Sequence, residues 1–198
     1  VREALRTLDP RVIVEACRET IPKLDEIRNE RDSKLSESDP FLQLKKKLFN
    51  EPSWYARSIL ASQLRMDYWN SEGVDRNPSL LTEAATVLRE SLSRFENAFD
   101  DQLLLLTLID LADHDDSCAD EIDKLIEKSA NRTTSLYSKA LVMFRRHGAT
   151  TETRAALSEA VDFNPYVAQV MVAGPEALKQ TDRANAKMMK IDEAKTYG

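Results

Sequence analysis

The stretch that decides the fold is residues 134–167, TSLYSKALVMFRRHGATTETRAALSEAVDFNPYV. In its first half, apolar residues recur every three or four positions, with Tyr137 and Phe144 on one line, and this spacing predicts an amphipathic helix. Gly148 follows, as a left-handed C-terminal cap would. One of the threonines at 150–151 then caps a second helix with its own apolar line. The stretch therefore predicts two helices joined by a short turn.

The same helix signals recur outward along the chain. An Asp or Asn side chain can accept from the amides of a first helical turn, and a proline placed next loses no hydrogen bond. The sequence has four such pairs, at Asp9-Pro10, Asp39-Pro40, Asn77-Pro78 and Asn164-Pro165. Helix ends are predicted at Gly73, Gly148 and Gly174. Only four glycines occur in 198 residues, which disfavours hairpins and sheets, so an all-α fold is predicted.

Apolar lines place the remaining helices. A helix from Ser53 to Ser71 carries two adjoining lines, one with Tyr55, Ile59, Met66 and Trp69, the other with Ala56, Leu60, Leu64 and Tyr68. A continuous stripe of about five turns runs from Leu81 to Phe99. The segment 102–112 is apolar nearly all round, as in the middle of a bundle or stack. Ser117 is predicted to cap the next helix, and Thr133 or Thr134 to open the one after it.

The N-terminal third is less regular in pattern. Pro22 interrupts a helical run, so either a kink or a stop and restart is expected there. The Lys45-Lys46-Lys47 run lies among apolar residues and predicts an amphipathic helix with a basic edge. That edge could touch an acidic partner or a membrane surface, but a solvated helix face is the favoured interpretation.

The unit Thr134–Val167 resembles a tetratricopeptide repeat. Five positions and the closing proline carry the resemblance: Tyr137, Ala140, Phe144, Leu157, Ala160 and Pro165. Leu141 and Thr153 depart from the motif, where a small residue and an alanine are expected. The preceding unit, Asp101–Thr133, keeps the length of about 33 residues, close to the family period of 34, but loses most signature residues.

The resemblance implies an irregular stack of antiparallel helical hairpins, an α-α superhelix in which aromatic residues such as Tyr137 and Phe144 fill the space between pairs. An unrelated helical bundle is the alternative. We expect one all-helical domain over residues 1–198, with less regular helices at 1–50, stacked hairpins at 53–173 and a polar tail at 182–198.

No residue pattern in the sequence indicates a specific chemistry. Asp113-His114-Asp115-Asp116 is the densest ligand-like cluster, but consecutive residues do not converge on a metal without a shaped loop. Asp115 or Asp116 is instead expected to cap a helix. No glycine-rich phosphate loop is present. We therefore predict no catalytic residues, no metal site and no cofactor, with a metal-dependent enzyme or regulator as a weaker alternative.

Charge and cysteine content limit the environment and the partners. The formal net charge of −6 argues against nucleic acid or an anionic membrane as the default partner, and no apolar run reaches membrane-spanning length. Cys17 and Cys118 are interpreted as buried reduced thiols, with a disulfide as the alternative, which favours a cytoplasmic location. Because the sequence starts at Val1 and not at a methionine, removal of a leader peptide stays open as an alternative.

The resemblance implies a scaffold that binds a peptide or protein partner along a groove lined by first helices. The predicted groove residues are Ser138, Lys139, Val142 and Arg145. The Lys-x-x-x-Asn spacing of a carboxylate clamp occurs at Lys46 and Asn50 but not on the well-matched helix, so a clamp is not expected. The alternative function is a structural or self-association domain of a larger assembly, including a homo-oligomer.

Overall fold

A computed structural model describes residues 9–34, 42–71, 76–95, 98–129 and 132–173 of the chain. These ranges contain helices and no strands, so the predicted all-α class is confirmed. The helices are α1 (Pro10–Lys34), α2 (Leu42–Asn70), α3 (Pro78–Leu92), α4 (Ala98–Leu111), α5 (Ala119–Lys128), α6 (Arg132–His147), α7 (Thr151–Phe163) and α8 (Pro165–Ala173), with a 3-10 turn at Asp116–Cys118.

Several local signals for helix ends are confirmed within the described ranges. Asp9 accepts from the Arg11 amide at 2.9 Å, and Asn77 from the Ser79 amide at 3.0 Å, each before a helix that begins at the following proline. Thr150 caps α7 by accepting from the Thr153 amide. Gly148 has a φ of +70° directly after α6, the left-handed conformation in which a side chain clashes with the following carbonyl. The signals at 39–40, 73 and 174 lie outside the described residues.

Three predicted boundaries are wrong, and at Pro22 one of two alternatives is excluded. Helix α1 runs through Pro22 without a stop and restart, so the kink is the alternative that stays a prediction. The stripe over 81–99 is not one helix, because α3 ends at Leu92 and α4 begins at Ala98. Asp115, rather than Ser117, caps the 3-10 turn, as the expectation for the aspartates had allowed. Helix α6 begins at Arg132, and its first turn buries Thr133 and Thr134 instead of using them as caps.

The chain divides into two compact units, residues 1–119 and 120–198. Each is described by itself, and the single domain expected over 1–198 stays a prediction. Within the described ranges, no helix is both long and apolar enough to cross a membrane.

In unit 1, α2 packs against α1, α3 and α4. Its contacts with α4 advance in the same direction along both helices, from Ser58 with Asp100 to Arg65 with Asp110. Helices α1 and α3 likewise run parallel. Arg18 pairs with Glu83, and Asp25, later in α1, pairs with Arg94, which follows α3. Successive helices therefore alternate in direction around a core of leucines and alanines.

One of the two apolar lines predicted on α2 faces that core and the other does not. Leu60, Leu64 and Tyr68 are buried, whereas Met66 and Trp69 are exposed. The buried face of α2 also contains polar side chains, those of Ser53, Arg57 and Ser58. Helix α4 is buried on most sides, as its nearly continuous apolar sequence predicts.

Unit 2 is organised by the hairpin of α6 and α7, with α8 packed on α7. Its core joins Tyr137 of α6, Ala160 of α7, and Val167 and Val170 of α8. The Tyr137 hydroxyl donates to the Asn164 carbonyl at 2.8 Å, so this aromatic side chain ties α6 to the junction between α7 and α8.

Candidate functional site

The apolar face of α6 extends beyond the part of unit 2 that covers it. Phe144 lies seven residues after Tyr137, which is two helical turns and returns to the same face. Tyr137 is buried, but Phe144 is 53% exposed. The core of unit 2 therefore ends before the last turn of α6, and a large aromatic side chain is left in contact with solvent.

Helix α7 shows the same feature. Leu157 follows buried Thr153 by four residues and precedes buried Ala160 by three, yet it is 48% exposed. Leu157 lies about one turn from the core residue Ala160, and Phe144 lies two turns from Tyr137, in each case toward the turn at 148–150. We call Phe144 and Leu157 together the hairpin face. It is the candidate interaction site of unit 2.

The four predicted groove residues do not share one exposed surface. Lys139 and Arg145 are exposed on α6, while Ser138 and Val142 are buried. The Ser138 Oγ has no hydrogen-bond partner within the described part of the chain. Only Lys139 and Arg145 of the four therefore present side chains that a partner can reach in this structure.

The last turn of α6 makes the border of the hairpin face basic. Arg145, Arg146 and His147 follow Phe144 directly, and all three are exposed. The Arg146 guanidinium forms an ion pair with Asp123 of α5 at 3.0 Å. Cations at a helix C-terminus also interact favourably with the helix dipole. The positive charge of this turn therefore stabilises α6 in addition to making the surface near Phe144 basic.

Unit 1 contains a buried ion pair that sequence reasoning missed. Arg57 of α2 is only 1% exposed, and its guanidinium donates to both carboxylate oxygens of Asp25 on α1, at 3.2 and 2.5 Å. It also donates to the Ser53 hydroxyl. The Ser53 hydroxyl in turn donates to Asp25 at 2.8 Å, and Arg94, beyond the end of α3, adds a further contact at 2.8 Å.

These contacts determine the ionisation of Asp25. Burial alone would raise its pKa, but the hydrogen bonds from Arg57, Ser53 and Arg94 stabilise the charged form and lower the pKa to about 2. Asp25 is therefore a carboxylate at every physiological pH, as the buried Arg57 requires.

A second buried carboxylate lies beside this pair, at the start of α4. Asp100 is fully buried and accepts from the Ser58 hydroxyl of α2 and the Ser91 hydroxyl of α3, both at 2.6 Å. Burial raises the pKa of Asp100, although the two hydroxyls oppose that shift. Asp100 and the Arg57–Asp25 pair together form a polar layer that ties all four helices of unit 1 at one level.

The sequence held a weak signal for this layer. Ser58 is a polar residue directly before the apolar run Ile59, Leu60 and Ala61, which marks it as a candidate for a buried network, whereas Asp100 is followed by Asp101 and Gln102 and resembles the polar first turn of a helix. Asp25, in contrast, belongs to a densely charged stretch that looks solvated throughout. No sequence pattern distinguishes it from its exposed neighbours Glu26 and Glu30.

The Asp113–Asp116 cluster is exposed. Asp115 accepts from the Ser117 amide at 2.9 Å, and this contact lowers the Asp115 pKa. Among the residues described, no group of three or more His, Cys, Asp or Glu side chains is placed to hold a metal ion. The side chains of Lys46 and Asn50 lie outside the described residues.

Comparisons with protein-family models, with curated proteins and with solved structures found no match to this chain. The helices observed in the structure define an all-α protein. The geometry of the described residues is the support for both candidate sites.

Proposed function

We propose that this protein is an interaction scaffold of tetratricopeptide-like type that binds a peptide or protein partner on the hairpin face. The observation that carries the proposal is the 53% exposure of Phe144, an aromatic residue on a helix face that is otherwise buried. Covering such a side chain on binding removes apolar surface from water, and exposed aromatic residues are the usual anchors of protein interfaces.

The charges around the hairpin face favour one kind of partner. Arg145 directly follows Phe144 and is exposed, whereas Lys139, also exposed, lies about 140° away around the same helix. A partner segment with an apolar anchor and nearby carboxylates would complement both features. The proposal therefore names a short acidic, amphipathic segment, and an amphipathic helix would present its anchors at the required spacing.

Self-association is the second candidate for the same face. In a two-fold symmetric dimer the same patch meets itself, so each Arg145 would approach the basic turn of the other copy. Like charges brought together in this way weaken association. The charge pattern therefore favours a different, acidic partner over a homo-oligomer.

A cytoplasmic location is part of the proposal. It is supported by the burial of both Cys17 and Cys118, as expected of thiols that serve as small apolar core residues in a reducing compartment. Burial also raises the pKa of the Cys17 thiol, which makes it a poor nucleophile.

The test is selection of a random peptide library on the full chain, followed by binding measurements on the enriched peptides. We expect peptides with an aromatic or aliphatic anchor and several Asp or Glu residues. Phe144→Ser should abolish their binding, and Arg145→Glu should weaken it. Val172→Ser is the matched control, because Val172 is also an exposed apolar residue of unit 2, at 88%, but lies outside the hairpin face.

Enriched peptides that bind the Phe144→Ser variant as well as the wild type would contradict the proposal. Light scattering on the same proteins examines self-association. A dimer that Phe144→Ser dissociates and Val172→Ser does not would assign the hairpin face to a second copy of this chain instead.

A further inference from the structure

At the end of α2, an arginine of the chain rests on two aromatic rings. The Cζ atom of Arg76 lies 4.9 Å from the ring centroid of Trp69 and 5.7 Å from that of Tyr68. Both distances fall within the range of about 6 Å over which a guanidinium is attracted to an aromatic face. The two rings meet edge to face, with centroids 5.5 Å apart, so they offer one guanidinium two surfaces.

The rings are held in place by other residues. The Trp69 indole donates to Asp110 of α4 at 3.1 Å, and the same carboxylate oxygen accepts from Arg65 at 2.7 Å. The Tyr68 hydroxyl is 2.6 Å from His114 Nε2, and Tyr68 itself is only 3% exposed. The aromatic site is thus built by α2 and α4 and does not need Arg76 to form it, which is the preorganisation that a binding site requires.

Arg76 itself is an exposed residue, located just before the N-cap of α3. Besides its contacts with the two rings, its Nε donates to the Ser71 carbonyl, just after α2, at 3.2 Å. Trp69 remains 41% exposed even with Arg76 resting on its ring. An exposed cation–π contact changes an equilibrium by only about 2- to 5-fold, so a competing guanidinium can replace Arg76.

The chain on either side of His114, which contacts Tyr68, is acidic. His114 is flanked in sequence by Asp113 and Asp115, and Asp116 follows; all three aspartates are exposed. Carboxylates in this stretch add Coulomb attraction for a cation that approaches the rings. They also repel the phosphates of a nucleic acid, which would otherwise be a candidate for stacking on Trp69.

We propose that Trp69 and Tyr68 form a binding site for an arginine side chain of a basic partner segment, and that Arg76 is an internal occupant which the partner's arginine displaces. The contact of Arg76 with both rings indicates that they bind a guanidinium. The aspartates on either side of His114 favour a positively charged partner. The site belongs to unit 1, and it depends neither on the hairpin face nor on the function proposed for it.

The chain has two tryptophans, so Trp54→Phe leaves Trp69 as the only one and makes its fluorescence a direct reporter. The probe is a short acetylated peptide with one arginine between glycines, and its citrulline counterpart has the same shape without the charge. We expect the arginine peptide to change Trp69 emission in a saturable manner and the citrulline peptide to leave it unchanged. In the same background, Arg76→Ala should tighten binding by about 2- to 5-fold and increase quenching by acrylamide. Arg154→Ala, which removes an exposed arginine of unit 2, should do neither.

Calorimetry supplies a second readout in which Trp69 itself can be replaced. In the Arg76→Ala variant with both native tryptophans, Trp69→Leu should abolish binding of the arginine peptide, while Trp69→Phe, which keeps an aromatic face, should retain it. Equal binding of the arginine and citrulline peptides would overturn the proposal. So would an Arg76→Ala variant with unchanged affinity and quenching, or a single-stranded oligonucleotide that binds in preference to the peptide.

Discussion

Arg57 is a buried cation whose charge is balanced chiefly by one carboxylate, that of Asp25. A buried guanidinium is strongly destabilising without a partner, and the contacts with Asp25 and the Ser53 hydroxyl balance that cost. Arg57 and Asp25 lie 32 positions apart in sequence, and the loss of either side chain would leave the charge of the other without its main partner.

The first prediction concerns this pair. Asp25→Asn should lower the free energy of unfolding at pH 7 by about 2 kcal/mol, because the shift of the Asp25 pKa from 3.8 to about 2 measures how strongly the folded protein stabilises a carboxylate charge that Asn lacks. Chemical denaturation measures the loss. Asp162→Asn, at an exposed position of α7, is the control and should change stability little. Equal effects of the two substitutions would show that Arg57 does not depend on Asp25.

The pH dependence follows from the same shift. Because the pKa of Asp25 is lower in the folded protein than in the unfolded chain, its contribution is fully present above about pH 4 and is lost as the pH falls through about 2. The difference in stability between wild type and Asp25→Asn should shrink over this interval, and thermal melts at several pH values would show it.

Asp100 should show the opposite dependence. Burial raises its pKa, so the folded state favours the protonated form, and the stability that Asp100 contributes is lost as the pH rises through its folded pKa. Asp100→Asn keeps an oxygen for one serine and offers an amide to the other. The variant should therefore gain stability relative to wild type as the pH rises above about 4, the pKa of an aspartate in the unfolded chain. Melts in which that difference stays constant with pH, or changes in the other direction, would contradict this account.

At the scale of the single helix, the caps are local devices whose effects can be isolated. Asn77 is exposed and accepts from the Ser79 amide at 3.0 Å before α3. Asn77→Ala should cost about 1 kcal/mol of stability, because that amide loses its acceptor. Asn77→Asp keeps the acceptor and should be close to wild type in a denaturation experiment. A loss as large for the Asp variant would mean that the cap is not the cause.

The turn between α6 and α7 supplies a backbone counterpart. A Cβ added at Gly148 would have no atom within 4 Å, so any cost of substitution comes from the φ of +70° alone. Gly148→Ala should destabilise by about 1 kcal/mol, and Gly148→Asn by less, because Asn tolerates the left-handed region. Thermal denaturation of the two variants compares them, and an Ala variant as stable as the Asn variant would speak against backbone strain.

At the scale of the whole molecule, the net charge of the chain determines how its solubility depends on pH. The formal net charge is −6 at pH 7, and the isoelectric point is near 5.1. Solubility should therefore pass through a minimum near pH 5, where charge repulsion between molecules vanishes. Turbidity measured across pH 4–8 checks this, and a minimum near neutral pH would point instead to association through the hairpin face.

The sequence by itself determined the all-α class, the caps at Asn77 and Thr150, and the left-handed turn at Gly148. Each of these depends on residues within one helical turn, so the interaction is visible in the local pattern. The boundaries of α4 and α6 were harder, because an apolar stripe continues past Leu92 and because Thr133 and Thr134 can either cap a helix or enter its core.

Only the tertiary structure decided which apolar and charged side chains are covered. Tyr137 and Phe144 have the same helical phase, and neighbours distant in sequence bury one and leave the other exposed. Asp25 resembles the solvated charges around it until α2 places Arg57 against it, and Arg76 resembles any loop arginine until Trp69 lies beneath it. Burial and pairing depend on contacts between helices, and residues that make such contacts are unrelated in sequence spacing. The helices of this protein are therefore determined largely by residues close in sequence, whereas its candidate sites form only when the helices of each unit pack together.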